Sequence, residues 1–424
     1  MSGPRIDNDL TGSKAERQRR FTFYQKIIDR VFRPMTLGRL KITLPEGQVL
    51  SYGEGKGGVE AALTVKNNDF FKKCVLFGDV GFGESYVDGD WETEDITKVI
   101  EWMITNVDNH PTLMADKQKR KPVNLLKVFN NIIAFLRRNS LQGSRRNISE
   151  HYDLGNEFFA SFLDPTMMYS SAYFKYSDMS LEDAQVQKCD ELCRKLKLKK
   201  SDHLLEIGTG WGGFAIHAAK NYGCCVTTTT ISQEQYRYAK KKIEKEGLSD
   251  RVQVLLEDYR HLTGEYDKIV SIEMIEAVGH EFLPSYFKTL EERLKKNGLI
   301  AIQMILSPDH RYDSFRKNID WIQKYIFPGS LLPSLRTIHQ AIAKNEGTLC
   351  LHHLEDITPS YVKTLAIWRE RFNHNLEKVR QFGLDERFIR KWNYYKSYCE
   401  GAFKTHNISV AQAVFSKPNN TLIN

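Results

Sequence analysis

The segment Leu204-Leu205-Glu206-Ile207-Gly208-Thr209-Gly210-Trp211-Gly212-Gly213-Phe214 decides how this chain folds. Three apolar residues and an acid run into a glycine-spaced turn, and a helical stretch, 214–221, follows at once. That pattern predicts a strand, a tight loop and a helix N-terminus, the entry unit of an α/β sheet that binds a nucleotide-like ligand. Glycines let the backbone approach a ligand closely. The helix start offers unpaired N–H groups and the positive end of its dipole to an anion.

Working outward, the same alternation continues. Strands are expected at His203–Ile207, Cys225–Thr230, Val252–Leu256, Lys268–Ile272 and Gly298–Met304, with helices at Gln233–Lys245 and Leu283–Leu294 between them. Strands alternating with helices imply a mostly parallel, doubly wound sheet. Upstream lies a smaller α+β unit. Gly38–Pro45 and Ala61–Lys66 read as strands and Asp69–Phe77 as a helix, with a glycine- and aromatic-rich turn over Gly81–Trp91. The expected organisation is a mobile polar tail over 1–20, the small unit over 21–110, a basic linker over 111–150 and the large unit over 151–424.

The chain has 424 residues, which favours more than one domain. Hydrophobic residues make up 41% and charged residues 27%, ordinary values for a globular protein. No apolar run reaches the roughly 18 residues that span a bilayer, and the first residues lack the apolar core of a signal peptide. Seven cysteines do not suggest a disulfide framework. Cys189 and Cys193 have no second pair or histidine cluster with them, so no metal site is expected. These features point to a cytoplasmic protein. The net charge of +8 is unevenly placed: Met114–Arg146 holds nine Lys or Arg and one acid, Asp116, among apolar residues such as Val123, Leu126, Phe129, Ile133 and Leu136. An apolar stripe edged with cations fits a segment lying peripherally on an anionic membrane, and it also fits an interdomain helix with one core face. No base-stacking or base-reading module is present, so nucleic acid is not an expected partner. Self-association into a homodimer is left open.

The glycine turn alone does not choose a ligand. A nicotinamide site carries an acid about 20 residues on, at the end of the second strand. Here that region reads Val226-Thr-Thr-Thr-Thr-Ile-Ser-Gln-Glu-Gln, and no acid ends the strand. Thr230 and Gln235 are the polar candidates for ligand contact. The third strand ends in Glu257-Asp258-Tyr259-Arg260, where an acid and an aromatic suit an adenine amine and face. This layout suits S-adenosylmethionine.

Several further segments carry a resemblance. They are His151-Tyr-Asp-Leu-Gly-Asn-Glu-Phe-Phe, Leu163-Asp-Pro-Thr-Met-Met-Tyr-Ser-Ser-Ala-Tyr-Phe, Glu273-Met-Ile-Glu-Ala-Val-Gly, Lys324-Tyr-Ile-Phe-Pro-Gly, Trp368-Arg-Glu-Arg-Phe and Tyr395-Lys-Ser-Tyr-Cys-Glu-Gly-Ala-Phe. With the glycine motif, they make the large unit resemble the cyclopropane-fatty-acyl-phospholipid synthases and the related mycolic-acid methyltransferases. Gly83-Glu-Ser-Tyr-Val-Asp-Gly-Asp-Trp is similar to the N-terminal, lipid-associated domain of the longer synthases. The resemblance implies transfer of the methyl of S-adenosylmethionine to the double bond of an unsaturated acyl chain on a membrane phospholipid. A carbocation forms and loses a proton to a bound bicarbonate. It also implies site residues. Tyr169 and Ser170 touch the cofactor. Glu206, Gly208 and Gly210 lie along its methionine part, Thr230, Ile231 and Gln235 by the ribose, and Asp258 with Tyr259 by the adenine. Ser171, Glu276, Gln303, Ile305 and Tyr361 form the bicarbonate pocket, with Tyr325 and Phe327 as aromatic candidates near the cation.

Family members commonly carry Cys where this chain has Ser171, His where it has Gln303, and His where it has Ala277. The pocket keeps its polarity and loses groups that ionise near neutral pH. That leaves open a mid-chain methyltransferase giving a methylene or methyl branch. A small-amine N-methyltransferase and a lipid-binding protein without turnover remain as further alternatives.

Overall fold

A computed structural model describes residues 21–108, 154–344, 346–421 and 423. The expectations for the tail over 1–20, for the basic linker over 111–150 and for His151–Asp153 fall outside these residues. The described residues form two units. One holds those before 109 together with Gly383–Thr405; the other holds those from 154 to Phe382 and from His406 onward.

In the first unit, β1 (Leu37–Thr43), β2 (Val49–Val65) and β3 (Trp91–Glu92) make an antiparallel sheet in the order β1-β2-β3. Helices Phe23–Phe32, Ile96–Asp108 and Glu386–Lys404 accompany it. Residues 81–87, expected as a turn, are helical instead. The helix Asp69–Val87 breaks at Gly78 (φ 60°, ψ −131°) and then resumes. Gly81 serves close packing: a Cβ there would lie 2.1 Å from the Lys73 carbonyl oxygen. Sequence order alone assigns 383–405 to the large unit. Its contacts place it here, because Gly401 lets the helix Glu386–Lys404 approach Ile100, Thr97 donates to Glu400 at 3.2 Å, and Arg390 donates to the carbonyls of Tyr86 and Trp91 at 2.7 and 2.9 Å.

The second unit is built on a seven-stranded sheet. Its strands are β4 (His203–Ile207), β5 (Cys225–Thr230), β6 (Val252–Leu256), β7 (Tyr266–Ile272), β8 (Leu294–Leu306), β9 (Cys350–Asp356) and β10 (Ser409–Ser416), in the order β6-β5-β4-β7-β8-β10-β9. The first five are parallel, and β10 runs antiparallel to both β8 and β9. Alternate residues of a strand face opposite sides. Leu205, Ile207 and Ile269 join one core with the helices Leu283–Arg293 and Leu335–Lys344. Leu204, Val226 and Val270 join a second with the helices Leu181–Lys195, Gly213–Tyr222 and Gln233–Lys245. Both faces of the sheet are therefore covered, as expected of parallel strands.

The strand order reverses between β4 and β7, the point at which such sheets open a crevice at their carboxyl edge. Gly208, Thr230, Asp258, Glu273 and Ile305 all stand at or just beyond the carboxyl ends of β4 to β8. Among the described residues, no helix is long and apolar enough to cross a membrane.

Candidate active site

The β4 turn is held open from below. Gly208 (φ 102°) and Gly212 (φ 83°) take conformations that L side chains rarely adopt, and Gly212 caps the helix Gly213–Tyr222. Beneath the loop, Thr228 donates to Glu206 at 2.6 Å, and the Thr209 and Thr228 hydroxyls share a 2.7 Å hydrogen bond. Glu206 is thus tied to the loop through two threonines. Burial pushes its carboxyl up to about 8, against the Thr228 hydrogen bond and the charge of Lys188.

This shift carries a stability consequence. A carboxyl raised in the folded state binds its proton more tightly there than in the unfolded chain, so stability falls as pH climbs from the ordinary carboxylate range to about 8. Glu206→Gln keeps an acceptor for Thr228 and removes the titration. It is expected to melt higher than wild type at pH 8 and to lose that advantage at pH 5, a difference that scanning calorimetry at the two pH values measures.

The remaining cofactor candidates are paired as follows. The Thr230 hydroxyl donates to Gln235 at 2.8 Å and accepts from the Ser232 N–H at 3.1 Å, which fixes both polar side chains at the end of β5. Ile231 follows directly and is half-buried. Asp258 is gripped by Arg260 through Nε and Nη2, each at 2.7 Å. Burial works against its charge, but the Arg260 hydrogen bonds and guanidinium outweigh that and hold the carboxyl below its usual range. Tyr259 packs edge-on against Tyr286, with ring centroids 5.4 Å apart. The Ser170 hydroxyl accepts from the buried ammonium of Lys188 at 2.7 Å.

Tyr169 belongs to an aromatic wall. Its ring lies 5.3 Å from Trp368, 5.4 Å from Phe159 and 6.3 Å from Phe327. Trp368 in turn meets Tyr361 edge-on at 6.2 Å. Tyr325 departs from expectation: it is exposed, with its ring against Trp321 and under the Lys324 ammonium.

The five expected bicarbonate residues gather at the ends of β7 and β8 around a residue outside the expected set, Glu273. The Ser171 N–H and the Gln303 amide each donate to its Oε1 at 2.8 Å, and the Tyr361 hydroxyl donates to its Oε2 at 2.9 Å. Glu276 stands one turn on. The Ile305 N–H donates to its Oε1 at 2.5 Å, and among the described residues its buried Oε2 has no hydrogen-bond partner. Burial, then the charge of Glu273, pushes the Glu276 carboxyl up to about 8. Burial raises the Glu273 carboxyl as well, against the Gln303, Ser171 and Tyr361 donors and the charge of Lys188, which favour its ionised form.

This arrangement does not fit a bound bicarbonate. The donors meant for it are engaged by Glu273, the Ser171 hydroxyl donates to the Ala172 carbonyl, and a second anion would face two carboxyl groups. The signal for Glu273 is present in the sequence: Ser-Ile-Glu-Met-Ile-Glu places two acids three apart directly after a strand that ends at the crevice.

Residues 139–413 match the family model described as mycolic acid cyclopropane synthetase. The chain is 38% identical over 389 residues to tuberculostearic acid methyltransferase UfaA1 of Mycobacterium tuberculosis, covering 89% of this chain and 88% of that one. It is 38% identical over 365 residues to the cyclopropane-fatty-acyl-phospholipid synthase of Escherichia coli, covering 85% and 89%. Among solved structures, mycolic acid cyclopropane synthase CmaA1 complexed with SAH and CTAB superposes with a TM-score of 0.59 at 28% identity, covering 64% of this chain and 98% of that one. With a seven-stranded, parallel-dominated sheet and a glycine turn at its switch point, the chain belongs to the mycolic acid cyclopropane synthetase family of S-adenosylmethionine-dependent methyltransferases.

Proposed function

We propose that the protein methylates a carbon–carbon double bond in an unsaturated acyl chain of a membrane phospholipid and closes a cyclopropane ring. The observation that carries this reading is the placement of an aromatic wall and a hydrogen-bonded carboxylate beside the glycine loop. An isolated alkene is a weak nucleophile, so the reaction depends on holding the sulfonium methyl close and in line. Attack leaves a carbocation, which the faces of Tyr169, Trp368 and Tyr361 suit in charge and in exclusion of water. Proton loss needs a base, and a carboxyl group at this edge can serve.

The phospholipid in this proposal follows the Escherichia coli relative, whose name includes that substrate. The basic, apolar-striped sequence Met114–Arg146 supports a peripheral place on an anionic membrane. A second reading keeps the methyl transfer and ends in a methylene or methyl branch. It is favoured by the tuberculostearic acid methyltransferase relative and by non-ionising Ser171 and Gln303.

The test is to incubate the purified chain with S-adenosylmethionine and vesicles of monounsaturated anionic phospholipid. A gain of one CH2 that survives mild hydrogenation is expected. A gain of one CH2 whose product takes up H2 under the same conditions, or a gain of one CH2 together with H2, supports the second reading. Methylation of a free fatty acid but not of the vesicles overturns the phospholipid assignment.

A further inference from the structure

We propose that Glu273 is the built-in base of this enzyme: its carboxylate occupies the place of the bicarbonate and takes the proton from the transferred methyl group. The inference rests on the reading that the methyl goes to an alkene.

The first argument is geometric. A carboxylate and a bicarbonate present the same planar pair of oxygens with one negative charge. Three of the five positions expected to bind bicarbonate, Ser171, Gln303 and Tyr361, instead donate to the two oxygens of Glu273 at 2.8, 2.8 and 2.9 Å. The donor set of an anion site is complete, and the anion is a side chain of the protein.

The second concerns Gln303. Its Oε1 accepts from Gln412 Nε2 at 2.9 Å, and Gln412 in turn accepts from the Lys195 ammonium. This relay fixes which end of the amide faces Glu273. Gln303 can only donate there, and unlike an imidazole it does not compete for the proton.

The third is the backbone. Glu273 has φ 48°, a left-handed conformation that is costly for a non-glycine residue. Two sets of contacts hold it there. The Glu273 N–H donates to the Gln303 carbonyl at 2.7 Å, which ties the end of β7 to β8. The side chain, aimed across the crevice, meets its three donors. The strain therefore serves to place one carboxylate.

Place and charge agree with this. Met274, the next residue, comes within 3.3 Å of where a Cβ on Gly208 would lie, so Glu273 adjoins the cofactor loop. Tyr361 links its carboxylate to the aromatic wall through a single hydrogen bond. Burial raises the Glu273 carboxyl, against its donors and the charge of Lys188, and so makes it a stronger base than an exposed carboxylate.

The alkene π pair forms a bond to the methyl carbon, and the C–S bond breaks with its electrons going to sulfur, leaving S-adenosylhomocysteine and a carbocation. A C–H bond of the transferred methyl then breaks. Its electrons form the last ring bond to the cationic carbon, and its proton goes to Glu273, which becomes a neutral carboxylic acid. The proton passes to water after the product leaves.

The test compares wild type, Glu273→Gln and Glu273→Gly in buffer stripped of carbon dioxide, with and without added bicarbonate or formate. Binding of S-adenosylhomocysteine by calorimetry serves as the control for folding. Wild-type turnover is expected to be indifferent to bicarbonate. Glu273→Gln is expected to lose about 100-fold or more in turnover while binding S-adenosylhomocysteine within a few-fold of wild type. Glu273→Gly, at a φ that glycine adopts freely, opens the anion site, and its turnover is expected to rise at least about tenfold when either anion is added. Loss of wild-type turnover on stripping bicarbonate, near-normal turnover of Glu273→Gln, or no rescue of Glu273→Gly by either anion each overturns the inference while leaving methyl transfer intact. A wild type inactive on every unsaturated lipid overturns the underlying reading as well, and shows in the control before any variant is compared.

Discussion

Gly208→Val is expected to weaken S-adenosylhomocysteine binding by about 100-fold or more. At φ 102° the backbone lies where only glycine is at ease, and an added Cβ would come within 3.3 Å of Met274 Cγ. A branched side chain there forces the turn to rearrange. That turn aims the start of the helix Gly213–Tyr222, whose unpaired N–H groups and dipole favour the carboxylate of the cofactor. Gly210 offers a contrast. Among the described residues, nothing lies within 4 Å of where its Cβ would sit. At φ 51° an alanine is strained in its backbone but meets no neighbour, so Gly210→Ala should lose about 1–2 kcal/mol of stability, and a loss of affinity at temperatures where it is folded reports contact with the ligand itself. Titration calorimetry with S-adenosylhomocysteine, alongside thermal melts of both variants, separates the two effects.

Trp368→Ala is expected to cost about 3–5 kcal/mol of stability, a drop in melting temperature of roughly 10 °C. Trp368 is fully buried, and its ring bridges Tyr169 at 5.3 Å, Phe162 at 6.1 Å and Tyr361 at 6.2 Å. Truncation leaves a cavity in the wall that positions Tyr361, and through it the carboxylate of Glu273. Turnover should fall even at temperatures where the variant is folded. Trp368→Phe retains much of the buried ring and should recover most of the stability. Thermal denaturation of the two variants, with methyl transfer measured well below both transitions, checks both parts.

The catalytic sheet is legible because its signals are local. The strands β4, β5 and β6 can be read to their observed ends, since each is a short run rich in apolar or β-branched residues closed by a turn or a helix cap. The strands β9 and β10 escape that reading. Cys350–Asp356 is a largely exposed, polar strand, and Ser409–Ser416 inserts between β8 and β9, partners far back in the chain to which no local periodicity points. The place of Glu386–Lys404 in the first unit depends on partners some 300 residues away, such as Thr97 and Tyr86, and no local pattern encodes them.

At the site, the family motif draws attention to Glu276 and past Glu273. Types and spacing can nominate both acids. They cannot show that Glu273 adopts a left-handed backbone, or that Ser171, Gln303 and Tyr361 all turn toward it. Asp258 is similar. Its position after β6 is legible, whereas its engagement by Arg260 two residues on follows from the 3-10 turn Tyr259–His261 that it caps.

The most direct test of the central claim uses S-adenosylmethionine whose methyl group carries three deuterium atoms, with vesicles of monounsaturated phospholipid and the purified chain. If the alkene is methylated and the transferred methyl loses its proton to a base in the site, mass spectrometry of the product finds two deuterium atoms retained and the third lost. Retention of all three on the acyl chain, or no label on it at all, would contradict the account.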